Sequence, residues 1–411
     1  MMYAFIRWWA TIFLRLYFRK TIIYGREKVA AKGPLILASN HPSAFLEASI
    51  LSTVMKRPIH FLVRGDMFNP RFRWLFNWTK QIPIYRQKDG ISNLRKNASS
   101  FDLTYKKLSE GEAVLIFPEA KTVLEKKMRP IQRGTAHLAF GTTPYLKGEE
   151  KIIVQPVGVN FTEPRLPGTD VIVKFGEPFI SPNASREDRD AIEEFTRVLS
   201  DSMDPLIIQV DDAREKNYDV LASIYLRMIY ENIAGSDAYG SLRKIAGYVN
   251  QASLMSGEMK TTQEILKSLR EDKLEAAAYF PDLIIMNRVG LAMMTFLKCL
   301  WVIAGGWIWR LVRLAIYNKI KSDTFQSPTT IGIFMVVMPL VTIILLIVFL
   351  IVGVPFYYVL IWLLIMWMGT VIRPSLNVIT KILVMQGKTK KSLKGYVLDL
   401  RTQIENIIHS Q

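Results

Sequence analysis

His41 and Glu47 are the first residues along the chain whose types suit proton transfer. A neutral imidazole accepts a proton near pH 7, and a carboxylate beside it orients the ring, fixes its tautomer and stabilises the imidazolium. His41 lies in Asn40-His41-Pro42-Ser43, directly after the apolar run Leu35–Ala38, and Pro42 suits a first helical position. Strand ends are where α/β sheets keep their sites. Three more segments carry a charge at such a place. Ile82-Pro83-Ile84-Tyr85-Arg86 ends in a guanidinium that can hold phosphate oxygens in a fork. Phe117-Pro118-Glu119-Ala120-Lys121 follows Ala113–Ile116. Pro130-Ile131-Gln132-Arg133-Gly134 opens a helical stretch whose free backbone N–H groups also favour an anion. Singly, Arg86 or Lys121 reads as a solvated surface charge and His41 as a loop histidine. Their recurrence at strand ends is what suggests a site.

The elements that must position these residues alternate in the rhythm of an α/β domain. Strands are expected at Leu35–Ala38, Ile59–Val63, Ile82–Tyr85, Ala113–Phe117, Ile152–Val159 and Val171–Phe175, with helices at Ser43–Met55, Ser92–Leu108 and Gly134–Phe140. Residues 186–285 read as helical and charged, with capping-type starts at Ser185 and Thr262. At the N-terminus Arg7, Thr11, Arg15 and Arg19 make one polar stripe on an otherwise apolar helix, expected to lie in a membrane interface with its arginines at the headgroups. Residues 324–372 contain no charged side chain and are long enough for two spans of about 20 residues each. Gly353 and Pro355 divide them into a hairpin, 331–352 and 356–372. Lys319, Lys321, Arg373 and Lys381 flank it, placing both ends in the cytosol. The segment 289–309, interrupted by Lys298, either spans or lies in the interface.

The resulting organisation is an interfacial helix at 1–20, an α/β domain at 21–200, a helical extension at 201–285, a membrane region at 286–372 and a basic cytosolic tail at 373–411. Of the 411 residues 50% are hydrophobic, which excludes a disordered chain, and Lys and Arg exceed Asp and Glu by 53 to 36. The net charge of +17 fits anionic phospholipid. No basic-aromatic groove accompanies it, so nucleic acid is not expected as a partner. The single Cys299 excludes an internal disulfide and a multi-cysteine zinc site.

Four blocks in order resemble the glycerolipid acyltransferase family, over roughly residues 20–200. Asn40-His41-Pro42 through Glu47 resembles the first block, a histidine followed after four residues by aspartate. Arg64-Gly65-Asp66-Met67-Phe68 with Ile82-Pro83-Ile84-Tyr85-Arg86 resembles the second, which ends in a phosphate-binding arginine. Phe117-Pro118-Glu119-Ala120 is similar to Phe-Pro-Glu-Gly, and Pro130–Gly134 to the Pro-Phe-Lys-Arg-Gly that follows it. Val154-Gln155-Pro156-Val157 resembles the fourth, a strand beside the acyl channel. The resemblance implies an α/β catalytic domain of the glycerolipid acyltransferase type that moves a fatty acyl group from acyl-CoA or acyl carrier protein to a glycerophosphate. His41 would be the base and Glu47 its orienting acid. Arg86 would bind the phosphate, helped by Lys121 or Arg133, with Glu119 fixing those cations or the glycerol. No metal or cofactor is implied, because the thioester is already activated.

The preferred acceptor is 1-acyl-glycerol 3-phosphate. Glycerol 3-phosphate or dihydroxyacetone phosphate comes second, and a lysophospholipid or aminolipid third. A thioesterase or phospholipase is disfavoured because Gly-x-Ser-x-Gly is absent. A non-catalytic lipid-binding relative stays open because five residues, not four, separate His41 from an acid that is Glu, not Asp. A six-residue step turns about 240° on a helix, so the pair meets only if His41 precedes the helix. Ala120 in place of glycine implies that the turn after Glu119 needs no positive φ. The expected location is an integral membrane protein with its catalytic domain in the cytosol, in keeping with a bacterial inner membrane.

Overall fold

The structure is a computed structural model that describes residues 2–65, 71, 73–85, 97–232, 237–252, 256–271, 275–371, 376–385 and 387–409. Arg86, Asp66, Met67 and Phe68 lie outside the described residues. Strands β1 (Lys20–Tyr24), β2 (Leu35–Ser39), β3 (Ile59–Arg64), β4 (Gln81–Ile84), β5 (Ala113–Ile116), β6 (Ile153–Phe161) and β7 (Asp170–Phe175) form one sheet, ordered β1-β7-β6-β2-β5-β3-β4. A short β8 (Phe179–Ile180) pairs with β6. The pairings β2·β5, β2·β6, β3·β5, β3·β4 and β1·β7 are parallel, whereas β6·β7 is antiparallel. The six expected strands therefore form, with ends shifted by one or two residues. β1 and β8 were not expected. β1 falls inside the aromatic and basic composition that marks the preceding helix, so its alternation is hidden.

All five β2 residues are buried, as a central strand covered on both faces requires. Leu35 and Leu37 point into one apolar cluster and Ile36 and Ala38 into the other, the period-two alternation of a strand. The first cluster is closed by helix α1 (Met2–Tyr17), helix α2 (Leu46–Val54) and Ile331. The second is closed by the helices Asn97–Ser109, Gly134–Thr142 and Arg189–Met203. The cap of the last is Asp188, whose side chain accepts the Ala191 N–H, while Ser185 sits three residues earlier and Thr262 lies inside the helix Gly257–Glu271.

The polar stripe of α1 turns partly inward. Arg7 donates to the carbonyls of Thr53 and Met55 at the end of α2, satisfying orphan acceptors there. Arg19 forks onto Asp170 at 2.9 Å. These two arginines thus serve the protein and not the headgroups. Besides Ala4 and Arg15, α1 exposes the large apolar side chains of Met2, Phe5 and Trp8.

Among the described residues two helices are long and apolar enough to cross a membrane, Arg288–Lys319 and Asp323–Val352. The first is kinked, with Gly305 at φ 154°, where a Cβ would meet Met366 at 2.9 Å. The second ends on Gly353 in the left-handed region, and the apolar helix Phe356–Val371 follows. Trp362 of that helix donates to the Ala304 carbonyl at 2.7 Å, and its ring meets Phe349 edge-on. Residues 376–409, expected as a tail, form the helices Leu376–Val384 and Gly387–His409. Ile379, Ile382, Leu393, Leu400 and Ile404 bury them against the helices between Glu215 and Ile285. Their lysine-rich polar face obscured the apolar stripe in the sequence.

Candidate active site

Sheet order and register determine which loops meet. β2 lies between β5 and β6 and runs parallel to both, so the segments leaving their C-terminal ends emerge side by side. The side chain of Asn40, just past β2, clamps β6 by donating to the Val159 carbonyl at 3.0 Å and accepting the Val159 N–H at 2.7 Å. Phe117, just past β5, stacks its ring on His41 with centroids 3.9 Å apart and planes 12° apart. The imidazole is therefore held flat against one strand's exit by another's.

The extra residue between His41 and Glu47 is absorbed in a turn at Ser43–Phe45, where Ala44 takes a left-handed φ of 47°. α2 then starts only at Leu46, so His41 is not helical and Glu47 sits in the first helical turn. Glu47 Oε1 accepts the Ser43 N–H, and Oε2 faces His41 Nδ1 at 3.9 Å. Glu47 is fully buried and neither facing atom has a hydrogen-bond partner among the described residues. Such contacts often tighten only when substrate binds. With Nδ1 turned to Glu47, Nε2 is the ring nitrogen left for a substrate.

Glu119 follows β5 and is 3% exposed. It pairs with neither Lys121 nor Arg133, both of which are exposed. Its partner is Arg129, which also donates to the carbonyls of His41 at 3.3 Å, Lys121 at 3.4 Å and Val123 at 3.0 Å. Arg129 thus ties the buried Glu119 carboxylate to the His41 carbonyl. Arg129 was missed in the sequence because it lies one residue before the Pro130 block. Ala120 overturns its expectation: its φ is 55°, so the turn does require the left-handed region, and alanine occupies it. Arg133 precedes the helix Gly134–Thr142 at the cap position.

Burial, helped by the positive charge of Arg129, lowers the His41 pKa to about 3. Burial raises that of Glu47 to about 8; the Glu119 carboxylate adds to this, while the Ser43 N–H and Arg129 oppose it. At neutral pH the imidazole is therefore unprotonated and ready to accept a proton. Glu47 supports an imidazolium best when ionised, so any reaction using His41 as base should accelerate as pH rises through about 8. No acidic limb near the ordinary histidine value is expected. A pH profile of kcat/KM should show this rise, and Glu47→Gln should flatten it; a profile unchanged by that substitution would assign the titration elsewhere.

A chain of ion pairs ties the loop carrying Arg129 to the rest of the molecule. Lys126 reaches Asp219 at 2.8 Å and Glu215 at 3.1 Å, and Tyr279 donates to Asp219 at 2.6 Å and to Glu163 at 3.3 Å. Arg165 closes on Glu163 and lies 3.8 Å from Asp323, the first residue of the long apolar helix. Among the described residues no group of three or more His, Cys, Asp or Glu is placed to hold a metal ion.

Among solved structures, the crystal structure of the 1-acyl-sn-glycerophosphate (LPA) acyltransferase PlsC from Thermotoga maritima is similar over 48% of this chain and 78% of that one, with 16% identity and a TM-score of 0.35. No curated protein matches the chain. The family model for Acyltransferase matches residues 20–160, from the first residue of β1 to within one residue of the end of β6. The matched span holds His41, Glu47, Glu119 and Arg129, so residues 20–160 are similar to the acyltransferase family over that stretch.

Proposed function

We propose that the protein is a membrane-bound O-acyltransferase that moves a fatty acyl group from an acyl thioester, acyl-CoA or acyl carrier protein, to the free hydroxyl of 1-acyl-glycerol 3-phosphate in phospholipid synthesis. The observation that supports it most is the buried Glu47 facing His41 Nδ1, with the other ring nitrogen left for the acceptor. In this reading Nε2 takes the hydroxyl proton as the oxygen attacks the thioester carbonyl. The tetrahedral intermediate then expels the thiolate, which receives that proton from the imidazolium, leaving an ester and a thiol. Glu47 orients the ring. Arg86 binds the acceptor phosphate, with Lys121 and Arg133 adding positive charge and Glu119 acting through Arg129.

A lipid acceptor is favoured over glycerol 3-phosphate because apolar surface adjoins the catalytic turn. The long apolar helix packs on the same sheet face as α2 through Ile331, and a Cβ at its Gly332 would lie 4.0 Å from the Phe45 ring. The exposed Met2, Phe5 and Trp8 of α1 suit an interface, and Lys319 and Lys321 suit a cytosolic face for the catalytic domain.

The test is transfer of labelled acyl groups from acyl-CoA and acyl carrier protein to a panel of acceptors. Turnover of 1-acyl-glycerol 3-phosphate above glycerol 3-phosphate and neutral lysolipids is expected. Arg86→Ala should raise the acceptor KM and lower kcat, while Arg86→Lys, which keeps charge without the fork, should retain part of the activity. Unchanged acceptor kinetics in Arg86→Ala would transfer the phosphate role to Lys121 and Arg133. Free thiol release without an acylated acceptor would replace transfer by hydrolysis.

A further inference from the structure

A cavity of about 710 Å³, lined by none of residues 40–47, opens between α1, the kinked helix Arg288–Lys319 and the long apolar helix. That size lies within the range of about 300–1,000 Å³ typical of small-molecule sites. Its wall is aromatic and aliphatic, with Phe13, Leu16, Trp301, Trp309, Ile331 and Phe334 among the residues that line it. Three basic residues join the lining, Lys298, Arg310 and Arg313, and no aspartate or glutamate does among the described residues. Arg310 is exposed and Arg313 half-buried, three residues apart and so on one side of the same helix. The buried Lys298 lies within the wall, its Nζ 4.1 Å over the Trp301 ring. An apolar chamber with a pair of guanidiniums at its exposed side and no carboxylate matches one kind of ligand chemistry, a fatty-acyl chain joined to a phosphate.

We infer that this cavity is a binding site for an anionic glycerophospholipid, with the acyl chain against the tryptophan wall and the phosphate on Arg310 and Arg313. Arginine suits that role because its planar donors grip phosphate in pairs. The site stands independently of the transfer reaction. A protein that failed to transfer acyl groups would still hold lipid here, and an active enzyme without this site would still depend on His41.

Native mass spectrometry of the full chain in detergent, titrated with dioleoyl phosphatidate, 1-oleoyl lysophosphatidate or dioleoyl phosphatidylcholine, tests the inference. The His41→Ala protein serves as host, so that no ligand is consumed by transfer. One retained anionic lipid per chain is expected, bound at least tenfold more tightly than phosphatidylcholine. Arg310→Ala/Arg313→Ala should weaken it at least tenfold. Val302→Trp, which fills the cavity without changing charge, should also reduce retention; if that variant fails to fold, the arginine pair decides alone. Retention of lysophosphatidate only would make the substrate pool the source, and retention of phosphatidate would make it the bilayer; either supports the site. Equal retention of phosphatidylcholine, or anionic binding untouched by the loss of both arginines, would overturn it.

Discussion

His41→Ala is expected to lower kcat by about 100-fold or more, the usual scale of a positioned general base, while the protein keeps its fold. The ring packs on Phe117 at a loop, and losing such a stack costs about 1 kcal/mol, far less than a domain's stability. Loss of rate with an unchanged unfolding midpoint is therefore the signature. Glu47→Gln should slow the reaction less than His41→Ala, since an amide still accepts a hydrogen bond from Nδ1–H without stabilising the imidazolium. Glu47→Asp tests length: with 3.9 Å already between the pair, a shorter arm should fail to reach. Near-normal turnover in His41→Ala, measured by single-turnover acyl transfer, would remove the histidine from the mechanism.

Arg129→Ala should be damaging in a different way. Its guanidinium is the cation beside Glu119, whose side chain is completely buried, and removing one member of a buried pair costs about 3–5 kcal/mol because the other charge is left unpaired. Burial already pushes the Glu119 pKa upward against the pull of Arg129, so the lone carboxylate should protonate in the mutant. Thermal unfolding in detergent should show a large drop. The double variant Arg129→Met/Glu119→Leu should recover much of the stability, since both charges are gone. It should not recover kcat, because Arg129 also holds the His41 carbonyl and is proposed to position the base. If the double variant regained full turnover, the pair would serve stability alone.

The sequence and the structure agree where a local pattern suffices. Leu35–Ala38 and Ala113–Ile116 are continuous apolar runs bounded by turn residues, and they form adjacent central strands. The convergence of Phe117 and Glu119 on His41 was legible only as motif order, because it depends on β2 lying beside β5, a long-range pairing. The His41-to-Glu47 spacing is misleading when read as a helix, since one left-handed residue, Ala44, resets the phase of the turn. Arg129 was illegible for another reason. Its partners are a carboxylate ten residues back and a carbonyl 88 residues back, and no periodicity encodes such distances. The lysine-rich end of the chain resembled a tail because charge dominates its composition, yet its every-third-or-fourth apolar residues supply part of a core.

The ion-pair chain through Lys126, Asp219, Tyr279 and Glu163 bears on modularity. Residues 20–160 look detachable as a unit of descent, but Lys126 within them finds its carboxylates at 215 and 219, and Glu163, just beyond them, meets Tyr279. A cut near residue 205 would strand a nearly buried lysine without its ion-pair partners Glu215 and Asp219 and uncover the apolar contacts around it. The sheet and the helical unit are thus bound into a single piece. Exchange of this domain between proteins would have to carry residues 215–279 along, or replace Lys126 and Glu163 at the same time.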